Sequence, residues 1–307
     1  MVQRLEVLCV IPSLTADRRQ MERCLAGVRA SLPESSTIVV VWNSLEPFPM
    51  TDDEIEIYRP GMNLGYGPAI NVATRRYPSE YIWTVQDDME FPELFVTQFI
   101  EALRLDSSLA VITPALAVNG SEMRGKPRGG EISADGNLLP FNEQQTEIPI
   151  GQVDFFASGW VPLSGAVVRS SAFDKIGGFD PHFFPVGHSD VDLCWRLNRE
   201  GYRVGTALNY HAAHEKGAST PGPLGAYLFR ENGNYFSRKV RGNELGQSNV
   251  DVPLDVLEAL ATVATIKLIG FARYVQMEQM APLPAILRSL RMSLRLNWER
   301  FRKRFNW

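Results

Sequence analysis

Cysteine is scarce in this chain. Only Cys9, Cys24 and Cys194 occur in 307 residues. Few, scattered and odd in number, they give no disulfide framework and suit a reducing, cytoplasmic setting. Positive charge is not in excess either. Lys and Arg number 31 against 35 Asp and Glu, a formal net charge of -4, so there is no overall basic field and no nucleic-acid partner is expected. Long apolar runs are missing as well. Leu5 to Leu14 is interrupted by Glu6 and precedes no small-residue cleavage site, so it reads as a first strand rather than a leader. Leu257 to Phe271 contains Glu258 and Lys267 and is short for a membrane span. Histidine is rarer still than the acids: there are four, and all lie between His182 and His214. What remains is a composition 45% hydrophobic and 21% charged, which is globular and ample for a full core.

The chain alternates strand and helix patterns from its start. Val7 to Ile11 is a continuous apolar run ended by Pro12, as in a strand buried on both faces. Met21, Cys24, Leu25 and Val28 recur at helical spacing over Gln20 to Ser31, and Pro33 stops them. Thr37 to Val41 is a second buried strand, so the three segments form a βαβ unit with a right-handed parallel crossover. The pattern predicts a strand over Ile55 to Tyr58, a helix over Pro68 to Arg76 and a strand over Tyr81 to Val85. A helix over Pro92 to Leu105 and a strand over Ala110 to Thr113 follow. Periodicity is lost from Ala117 to Gly151, which reads as a long loop. It resumes with a strand over Val161 to Arg169, a short helix over Ser171 to Ile176, a helix over Val191 to Arg199 capped by Ser189 or Asp190, and a last strand over Tyr202 to Leu208. Pro221-Gly222-Pro223 then divides the chain into residues 1–220 and a helical region, 221–307. The fold class is α/β, a mostly parallel central sheet with flanking helices and a C-terminal helical extension.

Three constellations could carry chemistry. Gln86-Asp87-Asp88 follows a hydrophobic strand, where carboxylates suit a hard divalent cation or simply form a turn. Asn63-Leu64-Gly65-Tyr66-Gly67-Pro68-Ala69-Ile70-Asn71 lets the backbone approach a ligand before a helix, or serves as a tight helix entry. It is no dinucleotide fingerprint, because Ile70 stands where a third glycine is needed. Asp190 and Asp192, with His211 and His214, offer a base or metal ligands; Asp192 also suits a solvated helix face.

The order and spacing of these segments resemble the family 2 glycosyltransferases of the GT-A fold, including rhamnosyl- and galactofuranosyltransferases. The likeness runs from about Leu5 to Ser219. Asn63 to Asn71 is similar to that family's Asn-x-Gly-aromatic-small motif, and Gln86-Asp87-Asp88 occupies the place of its Asp-x-Asp. Gly177-Gly178-Phe179-Asp180 through Ser189-Asp190-Val191-Asp192-Leu193-Cys194-Trp195-Arg196 resembles its Gly-Gly-Phe-Asp and Glu-Asp-x-Asp-Leu-x-x-Arg segment. His214, Gly217 and Ser219 match its closing His-x-x-Gly-x-Ser. Three positions depart from the pattern: Gln86 for the first acid of Asp-x-Asp, Ser189 for the Glu before the base, and Trp42 where an Asp often meets the nucleobase.

The resemblance implies a divalent ion, Mn²⁺ or Mg²⁺, held by Asp88 and His214. It implies a nucleotide-diphosphate sugar donor held by Pro12, Ser13, Asn43, Asn63, Gly65, Gly67, Asn71, Asp87 and Gly165. Asp190 is expected to be the general base of a single inverting displacement, kept ionised by the helix N-terminus. Trp160, Asp192 and His188 are expected on the side of a glycan, glycolipid or protein acceptor, in cell-surface polysaccharide synthesis. After Pro284, basic Arg288, Arg291 and Arg295 lie among Leu287, Leu290, Leu294 and Trp298. That pattern suits an anionic membrane surface, with the protein peripheral on its inner face, or packing in a homo-oligomer. Two other readings use the same side chains: a metal-dependent nucleotide-sugar hydrolase, and a non-catalytic binding protein on this scaffold.

Overall fold

Val7, Leu8, Cys9, Val10 and Ile11 are all fully buried, as a strand covered on both faces must be. The computed structural model describes residues 5–242, apart from 15–16, 45, 61–62, 93–94, 119–126, 142–144, 185–186 and 215–221. Residues 243–307 of the expected helical region, and Gly217 and Ser219, lie outside the described residues.

In chain order the elements are β1 (Leu5–Ser13), α1 (Arg18–Ser31), β2 (Ser36–Trp42), β3 (Ile55–Tyr58), α2 (Gly67–Arg76), β4 (Ser79–Thr84), β5 (Met89–Glu90), α3 (Phe95–Leu105) and β6 (Leu109–Val118). Then come β7 (Glu131–Ile132), β8 (Leu138–Leu139), β9 (Ile148–Ile150), β10 (Val153–Ser158), β11 (Ala166–Arg169), α4 (Ser170–Lys175), α5 (Ser189–Arg199), β12 (Arg203–His214) and α6 (Gly222–Val240). The main sheet has the order β3-β2-β1-β4-β11-β6-β12-β10-β9, with β5 added beside β12. The β3-β2-β1-β4 half is parallel, and so is β6 with β12. β11 runs antiparallel between β4 and β6.

Side chains of β1 alternate between two cores, as period-2 geometry requires. Val7, Cys9 and Ile11 pack with Met21, Cys24, Leu25 and Val28 of α1 and Phe95 and Phe99 of α3. Leu8 and Val10 pack with Ala69, Ile70 and Ala73 of α2 and Leu193, Cys194 and Leu197 of α5. Asp17 starts α1 by accepting the Gln20 N–H at 2.7 Å. All three cysteines are buried and free.

Four expectations are corrected. The stretch 117–151 is more than a loop, because β7 and β8 pair as a small hairpin and β9 joins the sheet edge. The strand expected over Val161 to Arg169 is confined to Ala166–Arg169, since Gly165 has φ 78°, outside extended backbone. The polypeptide just before it instead forms β10, antiparallel to β12. β12 continues past Leu208 to His214, because its far end pairs with β6 and β5. Pro221 to Pro223 does not end the packed body. Phe236 of α6 is buried with Phe183 and Val191, and Asn232 Nδ2 donates to the carbonyls of Phe183 and Gly187 at 3.1 Å each. Among the described residues, no helix is long and apolar enough to cross a membrane.

Candidate active site

The strand order reverses between β1 and β4, and in such sheets the crevice for a ligand opens at the carboxyl ends of the strands flanking that point. Ser13 ends β1 there, and Asp87 lies just past β4. The Ser13 hydroxyl donates to one oxygen of Asp87, and Gln20 Nε2 donates to the other at 3.3 Å. Burial raises the Asp87 pKa above the ordinary carboxylate value, against the hydrogen bond from Ser13. Asn43, just past β2, donates its N–H to the Ser13 carbonyl at 2.8 Å. Its side chain accepts from Leu64 N and donates to Gly65 O, both at 3.2 Å. Asn63 accepts the Gly65 N–H at 2.8 Å, closing a turn in which Gly65 has φ 71°. Ser13, Asn43, Asn63, Gly65 and Asp87 thus form one cluster, with Pro12 beside it in β1, paired with Val41.

Two other members of the Asn63 to Asn71 motif have a different task. A Cβ on Gly67 would lie 2.8 Å from Phe179 Cβ. Asn71 is buried and engages both backbone groups of Phe179. Gly67 and Asn71, expected to contact the donor, hold the Gly178-Phe179 corner.

The pair expected to bind metal is brought together by the shortest strand on this side. β5 pairs Met89 with His214, and this sets Asp88 Oδ1 3.1 Å from His214 Nε2. His214 Nδ1 is buried with no partner among the described residues. Gln86 turns away to accept from Ser164 Oγ at 3.1 Å. Among the described residues no group of three or more His, Cys, Asp or Glu is arranged around a metal position. One carboxylate and one imidazole nonetheless fit Mg²⁺ or Mn²⁺, ions that keep several positions for phosphate oxygens and water.

Asp190 lies in the first turn of α5, and here sequence reasoning needs two corrections. Neither Ser189 nor Asp190 caps the helix. His188 does so in a left-handed conformation, φ 62°, and the Asp190 carboxylate instead accepts the N–H of Val191 at 3.0 Å. Nor does the helix N-terminus hold Asp190 in the ordinary range. Burial raises its pKa, outweighing the backbone N–H groups and the nearby Arg128.

Arg128 is the residue that sequence reasoning missed. It lies in the stretch read as a long loop, where an arginine among Gly, Pro, Asn and other charged residues gives no signal. Its guanidinium Nη1 donates to Thr113 Oγ1 and to the Ser164 carbonyl, each at 3.0 Å. Burial lowers its pKa to about 10, while the charges of Asp190 and Tyr66 act the other way. The turn at Leu163 to Gly165 gathers these groups. Tyr66 donates to Leu163 O at 3.1 Å, and Gly165 N donates to Thr84 O at 2.7 Å. A Cβ on Gly165 would meet Met89 Cε and Phe91 Cε1 at 3.0 Å, so that position needs glycine.

The residues expected on the acceptor side are engaged within the fold. Asp192 is no solvated face residue and no acceptor contact: fully buried, it pairs with Arg196 at 2.7 Å and Lys239 at 2.6 Å. Lys239 also reaches Asp180 at 2.7 Å, so α6 is tied to the first turn of α5 by charge. His188 packs its ring against Phe229 and Phe236 of α6, and burial lowers its pKa. Trp160 exchanges two backbone hydrogen bonds with Gly130, at 3.0 and 3.2 Å, and packs half-buried on the core. None of the three forms a free platform for a sugar.

No family model matches the chain. It is 24% identical over 251 residues to an N-acetylglucosaminyl-diphospho-decaprenol L-rhamnosyltransferase of Mycobacterium tuberculosis, covering 72% of this chain and 81% of that one. It is 32% identical over 82 residues to the rhamnosyltransferase WbbL of Escherichia coli, 27% of this chain and 26% of that one. Among solved structures it superposes on GalNAc-T7, crystallised with UDP, GalNAc and Mn²⁺, with a TM-score of 0.59 and 12% identity. That match covers 82% of this chain and 53% of the other, and it is a likeness of fold. The protein therefore has the GT-A fold of sugar-transferring enzymes. Within that class its sequence is similar to rhamnosyltransferases, as family 2-like glycosyltransferases are.

Proposed function

We propose that the enzyme moves a sugar, with inversion, from a nucleoside diphosphate to the hydroxyl group of a glycan, glycolipid or protein acceptor. The observation that carries this reading is the meeting of Ser13, Asn43 and Asp87 with the Asp88–His214 pair at the switch point of the sheet. The Ser13–Asn43 corner and the Gly65 turn leave backbone and polar side chains to hold a nucleotide. When bound, a divalent ion at Asp88 and His214 supplies charge to neutralise the departing diphosphate.

Asp190 accepts the proton of the acceptor hydroxyl. The acceptor oxygen bonds to the anomeric carbon as the bond from that carbon to the diphosphate oxygen breaks on the opposite face, so configuration inverts. Its raised pKa makes Asp190 a stronger base than an exposed carboxylate. Arg128 favours its ionised form and adds positive charge beside the Gln86–Ser164 contact. The two relatives named as rhamnosyltransferases support a deoxyhexose donor and a part in cell-surface polysaccharide synthesis. A membrane or homo-oligomer role for the residues after Pro284 rests on their sequence alone.

The test is a thermal-shift panel of nucleotide sugars with Mg²⁺ or Mn²⁺, followed by product analysis with and without acceptor. One nucleotide sugar should raise the melting temperature, since a ligand at 100 times its Kd stabilises by about 2.7 kcal/mol. No shift with any nucleotide, or sugar released equally without acceptor, overturns the proposal; the second result makes the protein a hydrolase.

A further inference from the structure

Away from the switch point, a cavity of about 300 Å³ opens between β7, the end of β10, α5 and the start of β12. It lies far from the metal pair. β12 runs beside β6 from Arg203, at the cavity, to His214, and the nine steps of β6 between their partners span about 30 Å. It is nearer the base: Asp190 and the cavity-lining Asn198 share α5, about 12 Å apart along the axis.

The lining has a specific chemistry. Glu131 Oε1, Gln145 Oε1 and Ser158 Oγ are buried and have no partner among the described residues, and Ser158 is only 7% exposed. A buried oxygen without a partner is unfavourable. Three on residues that line one cavity call for a ligand carrying several hydrogen-bond donors. Gly159 makes room for the carboxyl group, because a Cβ there would lie 2.9 Å from Glu131 Oε2. Asn198 is fixed by donating to Gly159 O at 2.7 Å. The one cation in the lining, Arg203, is neutralised by Asp106. Glu131 therefore disfavours phosphate or carboxylate. The indole of Trp195 adds an aromatic wall, and Arg199 fixes it by stacking 4.8 Å from the ring centre. Acceptor oxygens beside an aromatic surface match the hydroxyl groups and C–H faces of a sugar ring, and the volume is at the lower end for ligand pockets.

We infer that this cavity is a second binding site, for one uncharged, polyhydroxylated sugar ring, separate from the site of transfer. The sugar comes either from a remote unit of an acceptor glycan or from free sugar in solution. The inference does not depend on the donor reading.

The experiment is saturation-transfer NMR on the full chain with rhamnose, galactose and N-acetylglucosamine, in excess nucleoside diphosphate. At least one sugar should bind saturably, and Gln145→Leu and Ser158→Val should each weaken it by about tenfold. Both variants should keep the wild-type thermal shift with nucleotide, which shows that they fold. A higher KM for long acceptors alone identifies the sugar as part of the acceptor; an unchanged KM identifies it as free sugar. No saturable binding to wild type, or full binding in both folded variants, overturns the inference. Failure of the donor reading would appear separately, as a missing nucleotide shift.

Discussion

Asn71 donates from Nδ2 to the Phe179 carbonyl at 2.8 Å and accepts the Phe179 N–H on Oδ1 at 2.9 Å. One amide thereby satisfies both backbone groups of a residue on the corner before α5, where left-handed Gly177 and Gly178 leave no regular ladder. Removing it should orphan two buried groups at about 1–3 kcal/mol each. Asn71→Ala is expected to unfold at lower denaturant and to lose transfer with it. A variant as stable as wild type in urea would show that Phe179 finds other partners.

Asp190→Asn tests the base. The amide keeps the volume and accepts the Val191 N–H, so folding and nucleotide binding should persist. Transfer should fall by about 10²–10⁴, the usual contribution of general acid–base catalysis. Wild-type turnover in this variant would assign the proton to another group.

The pH profile separates Arg128 from a structural residue. A carboxylate with a raised pKa becomes an active base only as pH rises through that value, so the acidic limb of kcat/KM should lie above the ordinary Asp range. Arg128 opposes the rise. Arg128→Met should move the limb to higher pH, and Arg128→Lys should move it part of the way back. A limb that stays in place while activity falls would make Arg128 a packing residue only.

Lys239 should matter to stability although it lies beyond the matched motifs. Its ammonium group, 6% exposed, joins Asp180 and Asp192. Lys239→Met leaves two buried carboxylates short of a cation and should cost about 3 kcal/mol by chemical denaturation. Burial pushes the Asp180 pKa up, but His182 and Lys239 outweigh it and hold the group below the ordinary range. That stabilisation is present above the unfolded value, about 3.9, and is lost as pH falls through the folded one. Acid unfolding of Lys239→Met should therefore begin at higher pH than in wild type.

Metal binding is checked without turnover. Asp88→Ala and His214→Ala should each weaken Mn²⁺-dependent nucleotide binding in a calorimetric titration while leaving metal-free binding unchanged. Equal affinities with and without Mn²⁺ in wild type would remove the ion from the site.

Much of the parallel half was legible in the sequence, because the middle of a strand buried on both faces must be apolar, and Val7 to Ile11, Ile38 to Val41 and Tyr81 to Trp83 are. The strand-end acids and the Asp190 segment were singled out by their likeness to family motifs, since locally each also suits a turn or a helix start. β10 and the hairpin of β7 and β8 were not. β7 and β8 have two residues each, too few for a period to emerge, and β10 is placed by its partners β12 and β9. Local sequence also pointed the wrong way at Asp192, whose helical position suits solvent until α6 brings Lys239 against it.

By itself the sequence determined the alternation of strands and helices, which follows from short-range periodicity and backbone preference, whereas the kind of site was an expectation implied by the resemblance of its motifs to a family. Only the tertiary structure decided that Asp88 meets His214, that the charge of Arg128 acts on Asp190, and that Asn71 serves a backbone corner. Each depends on segments far apart in the chain, and the charge state of a buried group is set by what surrounds it in space, which no local pattern encodes.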